Sequence, residues 1–270
     1  TGLITYMRTD GVQLSTQAID ELRNEITNLH GKEYVPQTPR VYKSKAANAQ
    51  EAHEAIRPTV ISRHPESMSS YLDDEQFKLY ELIWKRTISS QMQSAELDET
   101  SADISNKDKT IVFRANGSQV HFPGFFIYRD RNDDKILPNL VENENVYLEK
   151  ADSEQHFTQP PPRYTDASLI KKMEELGIGR PSTYASILQV LVNRNYVEKD
   201  RGKHIPQERG RILTAFLNNF FGQYIEYDFT ADLEKKLDKV SDGKLNYKKL
   251  LEEFWNSFKP HLNKMSELER

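Results

Sequence analysis

The feature that most constrains the fold is the run PPPRYTDASLIKKMEELGIGRPSTYASILQVLVNRNYVEKD. Leu169, Ile170, Met173 and Leu176 recur at helical spacing, one apolar stripe along a helix. Thr165 or Asp166 can cap its start, and Gly177 stops it. After the short turn GIGRP, Ser182 or Thr183 can cap a second helix carrying Ile187, Leu188, Leu191 and Val192. NYVEKDRGKHIPQERGRILT then reads as a β-hairpin or wing. Helix, short turn, helix and hairpin is the outline of a winged helix-turn-helix, a layout that serves nucleic-acid binding.

Charge points both ways on that reading. The chain of 270 residues carries a formal net charge of -4, whereas phosphate contacts usually leave a basic footprint. From Arg163 to Lys203, however, eight Lys and Arg face five Asp and Glu, a local excess of +3. Acid gathers elsewhere, in YLDDEQ, ELDE, RNDDK and VENENVYLE. The chain has no Cys, which excludes disulfides and thiolate zinc sites and fits a reducing cytosol. It has no run of 18 apolar residues, so no membrane-spanning helix is expected. A 10% aromatic content argues against disorder.

Three segments follow from the pattern. Residues 1–95 read as mixed and mainly helical, with Ile19, Leu22, Ile26 and Leu29 on one helix face. A second helix is expected from Asp74 to Met92, with Phe77, Tyr80, Trp84 and Ile88 along its core side. Residues 96–158 read as a small antiparallel β module. KTIVFRANGSQVHF carries an Asn-Gly pair that signals a hairpin turn, and KILPNLVENENVYLEKA reads as another strand pair. Residues 159–270 are helical again around the hairpin, ending in two amphipathic helices. Their apolar faces, Leu233, Leu237 and Val240, then Leu250, Leu251, Phe254, Trp255 and Phe258, read as core.

Candidate chemistry sits in three places. TGLITYMRTD places Tyr6 and Arg8 two residues apart, on one face if the stretch is an extended strand. A phenol beside a guanidinium suits a nucleophile working on a phosphate, and equally an ordinary strand end. At the second turn, Arg180 precedes Pro181 and a helix start flanked by Ser182 and Thr183. Such a start is a ready anion site, or simply a routine cap, and Tyr184 would lie close enough to stack on a base. In AQEAHEAIRPT, a helix through Ile56 would set His53 on the face of Ala49 and Gln50. Arg57, before Pro58, is biased out of the helical region.

GLITYMRTD, AQEAHEAIRPT and ASLIKKMEELGIGRPSTYASI, in this order and at these separations, resemble the signatures of bacterial type IA DNA topoisomerases. The resemblance spans nearly the whole chain, including DFTADLEKKLDKVSDG, and GIGRPSTYAS lies nearer the topoisomerase I branch than the topoisomerase III branch. It implies an α+β, mostly helical fold built from arch and groove domains, with winged-helix-like (CAP-like) modules and a small antiparallel β arch module. The segments 1–95, 96–158 and 159–270 then become the catalytic-tyrosine domain, the second part of the arch and the second part of the groove domain.

The resemblance assigns roles as well. Tyr6 matches the nucleophile that forms a 5′-phosphotyrosyl link with single-stranded DNA and releases a 3′-hydroxyl, so religation needs no ATP. Arg8 matches the arginine that stabilises charge on the scissile phosphate. His53 and Arg57 match residues that hold DNA near that site. Arg180, Ser182, Thr183 and Tyr184 match the groove that positions the strand. Gly11 stands where many relatives carry Ser. Mg²⁺ would be held by an upstream Toprim domain of the same polypeptide, through an Asp-x-Asp cluster and a catalytic Glu, and not by this chain.

The expectation is therefore a fragment of a cytoplasmic, nucleoid-associated bacterial enzyme that binds single-stranded DNA without cleaving it alone. The rival readings are a non-enzymatic winged-helix DNA-binding protein, which would prefer duplex, and a structural fragment that does not bind DNA.

Overall fold

The computed structural model describes residues 2–9, 11–42, 53–129 and 134–268, with side chains to Asn263. The fold is α+β and mostly helical, with two separate two-stranded antiparallel sheets among the described residues. No helix among them is long and apolar enough to cross a membrane. The chain divides into two compact units. One contains residues 2–7, 12–42, 53–129 and 134–158; the other contains residues 8, 9, 11 and 159–268.

The first unit is organised by two helices. α1 (Thr16–His30) starts at Ser15, whose hydroxyl accepts from the Ala18 N–H, and ends at Gly31. Its buried face is Ala18, Leu22 and Ile26, while Leu29, expected on that face, is 37% exposed in the last turn. After the short α2 (Pro65–Met68), α3 (Asp74–Ser90) opens with a reciprocal capping box between Asp73 and Gln76. Tyr80, Trp84 and Ile88 lie one turn apart and are buried with Leu22, Ile26, Ile61 and Met92 in the core. Leu3 and Ile4 at the N-terminus pack against this cluster.

β1 (Glu96–Ser105) and β2 (Val112–Phe122) form the expected hairpin, but its turn is elsewhere. The chain reverses at 106–111, where Lys109 takes φ 55° and the Asn106 side chain accepts from the Ile111 N–H. Asn116 and Gly117, the expected turn, lie inside β2 opposite Ser101 and Thr100. Gly117 serves close approach rather than reversal, because a Cβ there would stand 2.8 Å from the Lys135 carbonyl oxygen. That carbonyl accepts from the Ser118 N–H at 2.8 Å. The second expected strand pair does not form: residues 137–158 carry no strand. Val141, Tyr147, Leu148 and Phe157 are 69–95% exposed there, so alternation has no facing surface to pair with.

A 3₁₀ turn (Gly124–Tyr128) returns the hairpin to the core. Gly124 has φ 47°, and a Cβ would meet the Ser94 and Gln93 carbonyl oxygens at 2.5 and 2.6 Å, so only glycine fits. Tyr128 Oη lies 2.6 Å from His30 Nε2, and its ring packs edge-on against Trp84. Burial, with added push from the Glu66 and Glu25 carboxylates, raises the Tyr128 phenol from its ordinary 10 to about 12. A proton held more tightly when folded stabilises fully below pH 10 and is lost as pH rises through 12. Alkaline unfolding of wild type should therefore steepen over that window relative to Tyr128→Phe. Parallel unfolding curves for the two proteins would contradict the assignment.

The second unit carries the helix–turn–helix and wing. α4 (Asp166–Leu176) is capped by Thr165, paired reciprocally with Ser168, and closed by Gly177 in the left-handed region at φ 71°. α5 (Pro181–Asn193) follows the GIGRP turn. β3 (Val197–Asp200) and β4 (Lys203–Pro206) pair around Arg201 and Gly202, both at positive φ. Asp166 ties the wing to α4, taking Lys199 Nζ at 2.8 Å and His204 Nε2 at 2.8 Å. The Lys199 bond, against an opposing burial effect and with a further contribution from His204, holds the Asp166 carboxyl below its usual range.

α6 (Glu208–Ile225), α7 (Tyr227–Ser241) and α8 (Tyr247–Leu268) complete this unit. Tyr224, Phe229, Phe254 and Phe258 cluster between them with mostly edge-on rings. Only part of the expected core is buried. Leu250 is 5% exposed, but Leu237, Leu251 and Trp255 are 50–60% exposed, because neighbouring helices cover only part of each apolar arc.

Candidate functional site

Tyr6 sits where a short antiparallel pairing runs out. Ile4 bridges Pro58, the Thr5 N–H donates to the Arg57 carbonyl at 2.9 Å, and the Thr59 N–H donates to the Leu3 carbonyl at 3.0 Å. The Thr5 hydroxyl adds two bonds, donating to the Ala55 carbonyl at 2.8 Å and accepting from the Arg57 N–H at 3.0 Å. The backbone is thus held on one side by hydrogen bonds and on the other by the packing of Leu3 and Ile4. The next ring, Tyr6, is 77% exposed. Its centroid lies 6.4 Å from that of His53, with the planes tilted by 35°.

Residues 53–59 form no helix, and a bend at Ile56 separates the bridges made by Glu54 and Pro58. The helical placement of His53 is therefore corrected, and Ala49 and Gln50, on which it rested, lie outside the described residues. The cause is tertiary: Glu54 bridges Gln13, and Pro58 bridges Ile4, so two chain segments hold this run out of a helix. His53 reaches Tyr6 by that route. Among the described residues the ladder from residues 55–59 stops at Thr5, so the two-residue periodicity that would align Arg8 with Tyr6 has no backbone pairing there beneath it. Arg8 is half-buried, makes contacts of its own and groups with the second unit.

Arg57 turns inward. Nε and Nη2 meet the two carboxylate oxygens of Glu54 at 2.9 and 3.1 Å, and Nη1 donates to the Pro58 carbonyl at 2.9 Å. Glu54 also accepts from the Ser15 N–H at 3.0 Å. Burial alone raises the Glu54 carboxyl, but the bonds from Arg57 and Ser15 and the charge of Arg57 outweigh it. The net position is below the usual carboxylate range. Glu54 escaped the sequence reading, although an acid three residues before an arginine was a visible signal.

In the second unit, the cap of α5 is Arg180 rather than Ser182 or Thr183. Pro181 occupies the first helical position, where a missing N–H costs nothing. The Thr183 hydroxyl, at the third, accepts from the Arg180 N–H at 2.9 Å. The guanidinium donates to the Gly179 carbonyl at 2.8 Å and pairs with Glu234 at 3.1 Å and Asp238 at 2.8 Å, one turn apart on α7. Ser182 and Thr183 are exposed. Tyr184 is 7% exposed and faces Gly179, where a Cβ would stand 3.1 Å from its ring. Its place in the core leaves no face for a stacked base, which corrects that expectation. Among the described residues, no three His, Asp or Glu are grouped to hold a metal.

The chain belongs to the DNA topoisomerase family, whose model matches residues 1–252. It is 51% identical to DNA topoisomerase 1 of Rickettsia bellii over 98% of its own length and 34% of that protein's. Against DNA topoisomerase 1 of Zymomonas mobilis it is 49% identical over 96% of this chain and 22% of that one. The full-length topoisomerase I of Thermotoga maritima superimposes with a TM-score of 0.80 at 40% identity, over 95% of this chain and 42% of that one. The chain thus spans about a third of the length of the Rickettsia relatives it matches.

Proposed function

We propose that this chain is the tyrosine-bearing part of a bacterial type IA DNA topoisomerase I that relaxes negatively supercoiled DNA in the cytoplasm, at the nucleoid. The observation that carries the reading is the exposed Tyr6 ring, presented beside His53 on a strand held by both hydrogen bonds and packing.

In this reading Tyr6 Oη attacks a phosphorus of single-stranded DNA. One O–P bond forms to the tyrosine as the bond to the 3′ oxygen breaks, and that oxygen leaves with a proton as a 3′-hydroxyl. The phosphodiester energy is kept in the 5′-phosphotyrosyl bond, so the reverse attack reseals the strand without ATP. Arg8 stabilises the charge on the phosphate, and His53 helps hold it. The exposed Ser182 and Thr183 mark the start of α5 as a place for a further phosphate, beside an Arg180 guanidinium that it would have to share with the carboxylate partners Glu234 and Asp238. We assign Mg²⁺ to a Toprim segment of the same polypeptide outside this chain. The Tyr6 phenol must give up its proton as it attacks.

The chain alone should bind a labelled single-stranded oligonucleotide with affinity that falls as salt rises, and should not cut it. Strand cleavage by the purified chain would overturn the need for a second part. Binding that is insensitive to salt, or absent, would favour a structural role, and preference for duplex would favour a winged-helix DNA-binding protein.

A further inference from the structure

Arg57 is the residue whose surroundings fit a phosphate contact least. Its guanidinium is engaged at all three nitrogens, two of them in a fork on one carboxylate, and its side chain is only 16% exposed. The fork that would grip a phosphate is the same fork that grips Glu54. A phosphate arriving here would also meet the Glu54 charge. The backbone of Arg57 is committed as well, with its N–H and carbonyl both bonded to Thr5.

Glu54 is the meeting point of three chain segments. Its carboxylate holds Arg57 on one side and the Ser15 N–H, at the cap of α1, on the other. Its backbone pairs with Gln13, and the Ala55 N–H donates to the Gln13 carbonyl at 2.8 Å. The strand leading to Tyr6 is hydrogen-bonded to the same run at Ala55, Arg57 and Thr59. His53 immediately precedes Glu54, and its ring lies beside that of Tyr6. One carboxylate therefore sets the spacing between the strand that carries the tyrosine and the residue that flanks it.

We propose that Glu54 is a positioning residue for the Tyr6 site, and that Arg57 serves as its anchor rather than as a DNA contact. The proposal rests on the reading of Tyr6 as the nucleophile. It acts through geometry: a loosened clasp leaves DNA bound but moves Tyr6 and His53 out of register, and small misplacements at a reacting centre cost large factors in rate.

The test compares wild type, Glu54→Gln, Arg57→Gln and the double variant in the longer polypeptide of which this chain is proposed to be part. Three quantities are read: amide hydrogen exchange at Thr5 and Arg57, salt-dependent affinity for a single-stranded oligonucleotide, and the rate of covalent adduct formation. Each single variant should speed exchange at those amides by about 10-fold or more. Affinity should stay within about twofold, with an unchanged salt slope, and the adduct rate should fall at least about 10-fold. The double variant should lose no more than either single one, since one interaction is removed in each case.

Unchanged exchange in Glu54→Gln overturns the proposal whether or not an adduct forms. A salt slope reduced by about 0.7 in Arg57→Gln, with tighter binding in Glu54→Gln, also overturns it and makes Arg57 a phosphate contact. Wild type that exchanges as expected yet forms no adduct sinks the reading of Tyr6 while leaving the clasp in place. If Glu54→Gln does not fold, Arg57→Lys takes its role: it keeps the charge and loses the fork, and a full adduct rate in that variant defeats the proposal.

Discussion

Tyr6→Phe should fold like wild type, bind single-stranded DNA with unchanged affinity and form no covalent adduct with it. The substitution removes one oxygen from a ring that is 77% exposed, and surface changes of that kind usually shift stability by no more than about 0.5 kcal/mol. The strand beneath is held by Leu3, Ile4 and Thr5, none of which depends on the hydroxyl. The chemistry depends on it entirely, because no other atom of the ring can bond to phosphorus. The measurement is a denaturing gel of a labelled oligonucleotide incubated with Mg²⁺ and this chain joined to the upstream part that we propose it works with. An adduct in wild type that disappears in Tyr6→Phe establishes Tyr6 as the nucleophile. An adduct that survives in Tyr6→Phe places the attacking group elsewhere and returns the opening tyrosine to an ordinary strand residue.

The second large effect concerns stability. Trp84→Ala should destabilise the first unit by about 3–5 kcal/mol, the usual cost of emptying a buried aromatic site. The indole is 4% exposed and packs edge-on against His64 and Tyr128 at centroid distances of 5.4 and 5.5 Å. Its N–H donates to the Ile61 carbonyl at 2.8 Å, so truncation also leaves that carbonyl without its partner. Whole-domain stabilities are only about 5–15 kcal/mol, so much of the margin is at risk. Chemical denaturation followed by circular dichroism measures it, and a loss below about 1 kcal/mol would mean that the cluster repacks around the gap. Leu3 and Ile4 lean on the same cluster. The Trp84 variant should consequently lose adduct formation too, through the strand and not through the chemistry.

The helices were legible because each carries its own instructions. Ser15, Asp73 and Thr165 cap, Gly31 and Gly177 stop, and the apolar period between them is 3.6. The wing was legible for the same reason, with Gly202 at its tip. The Asn116–Gly117 pair misled because its dipeptide chemistry serves two purposes: glycine makes a turn possible, and it equally admits a close carbonyl such as that of Lys135. KILPNLVENENVYLEKA has apolar runs on either side of a polar turn, as a strand pair does, yet a strand needs a neighbour to pair with, and a single-chain pattern cannot show whether one is present.

The candidate site divides along the same line. The sequence by itself determined that a tyrosine and an arginine lie two residues apart, that a helix begins just after Arg180, and that both belong to motifs of one family. Those are local facts, written in order and spacing. Only the tertiary structure decided that His53 faces Tyr6, that Arg57 is folded onto Glu54, that Arg180 is held by Glu234 and Asp238, and that Tyr184 lies in the core. The partners of Tyr6 and Arg180 lie about fifty residues away, and even Glu54, a near neighbour of Arg57, meets it across a bend at Ile56 that lies between bridges to Gln13 and Ile4. Whether a cation meets a phosphate or a carboxylate depends on what the fold brings within 3 Å, and composition and periodicity carry no record of that distance.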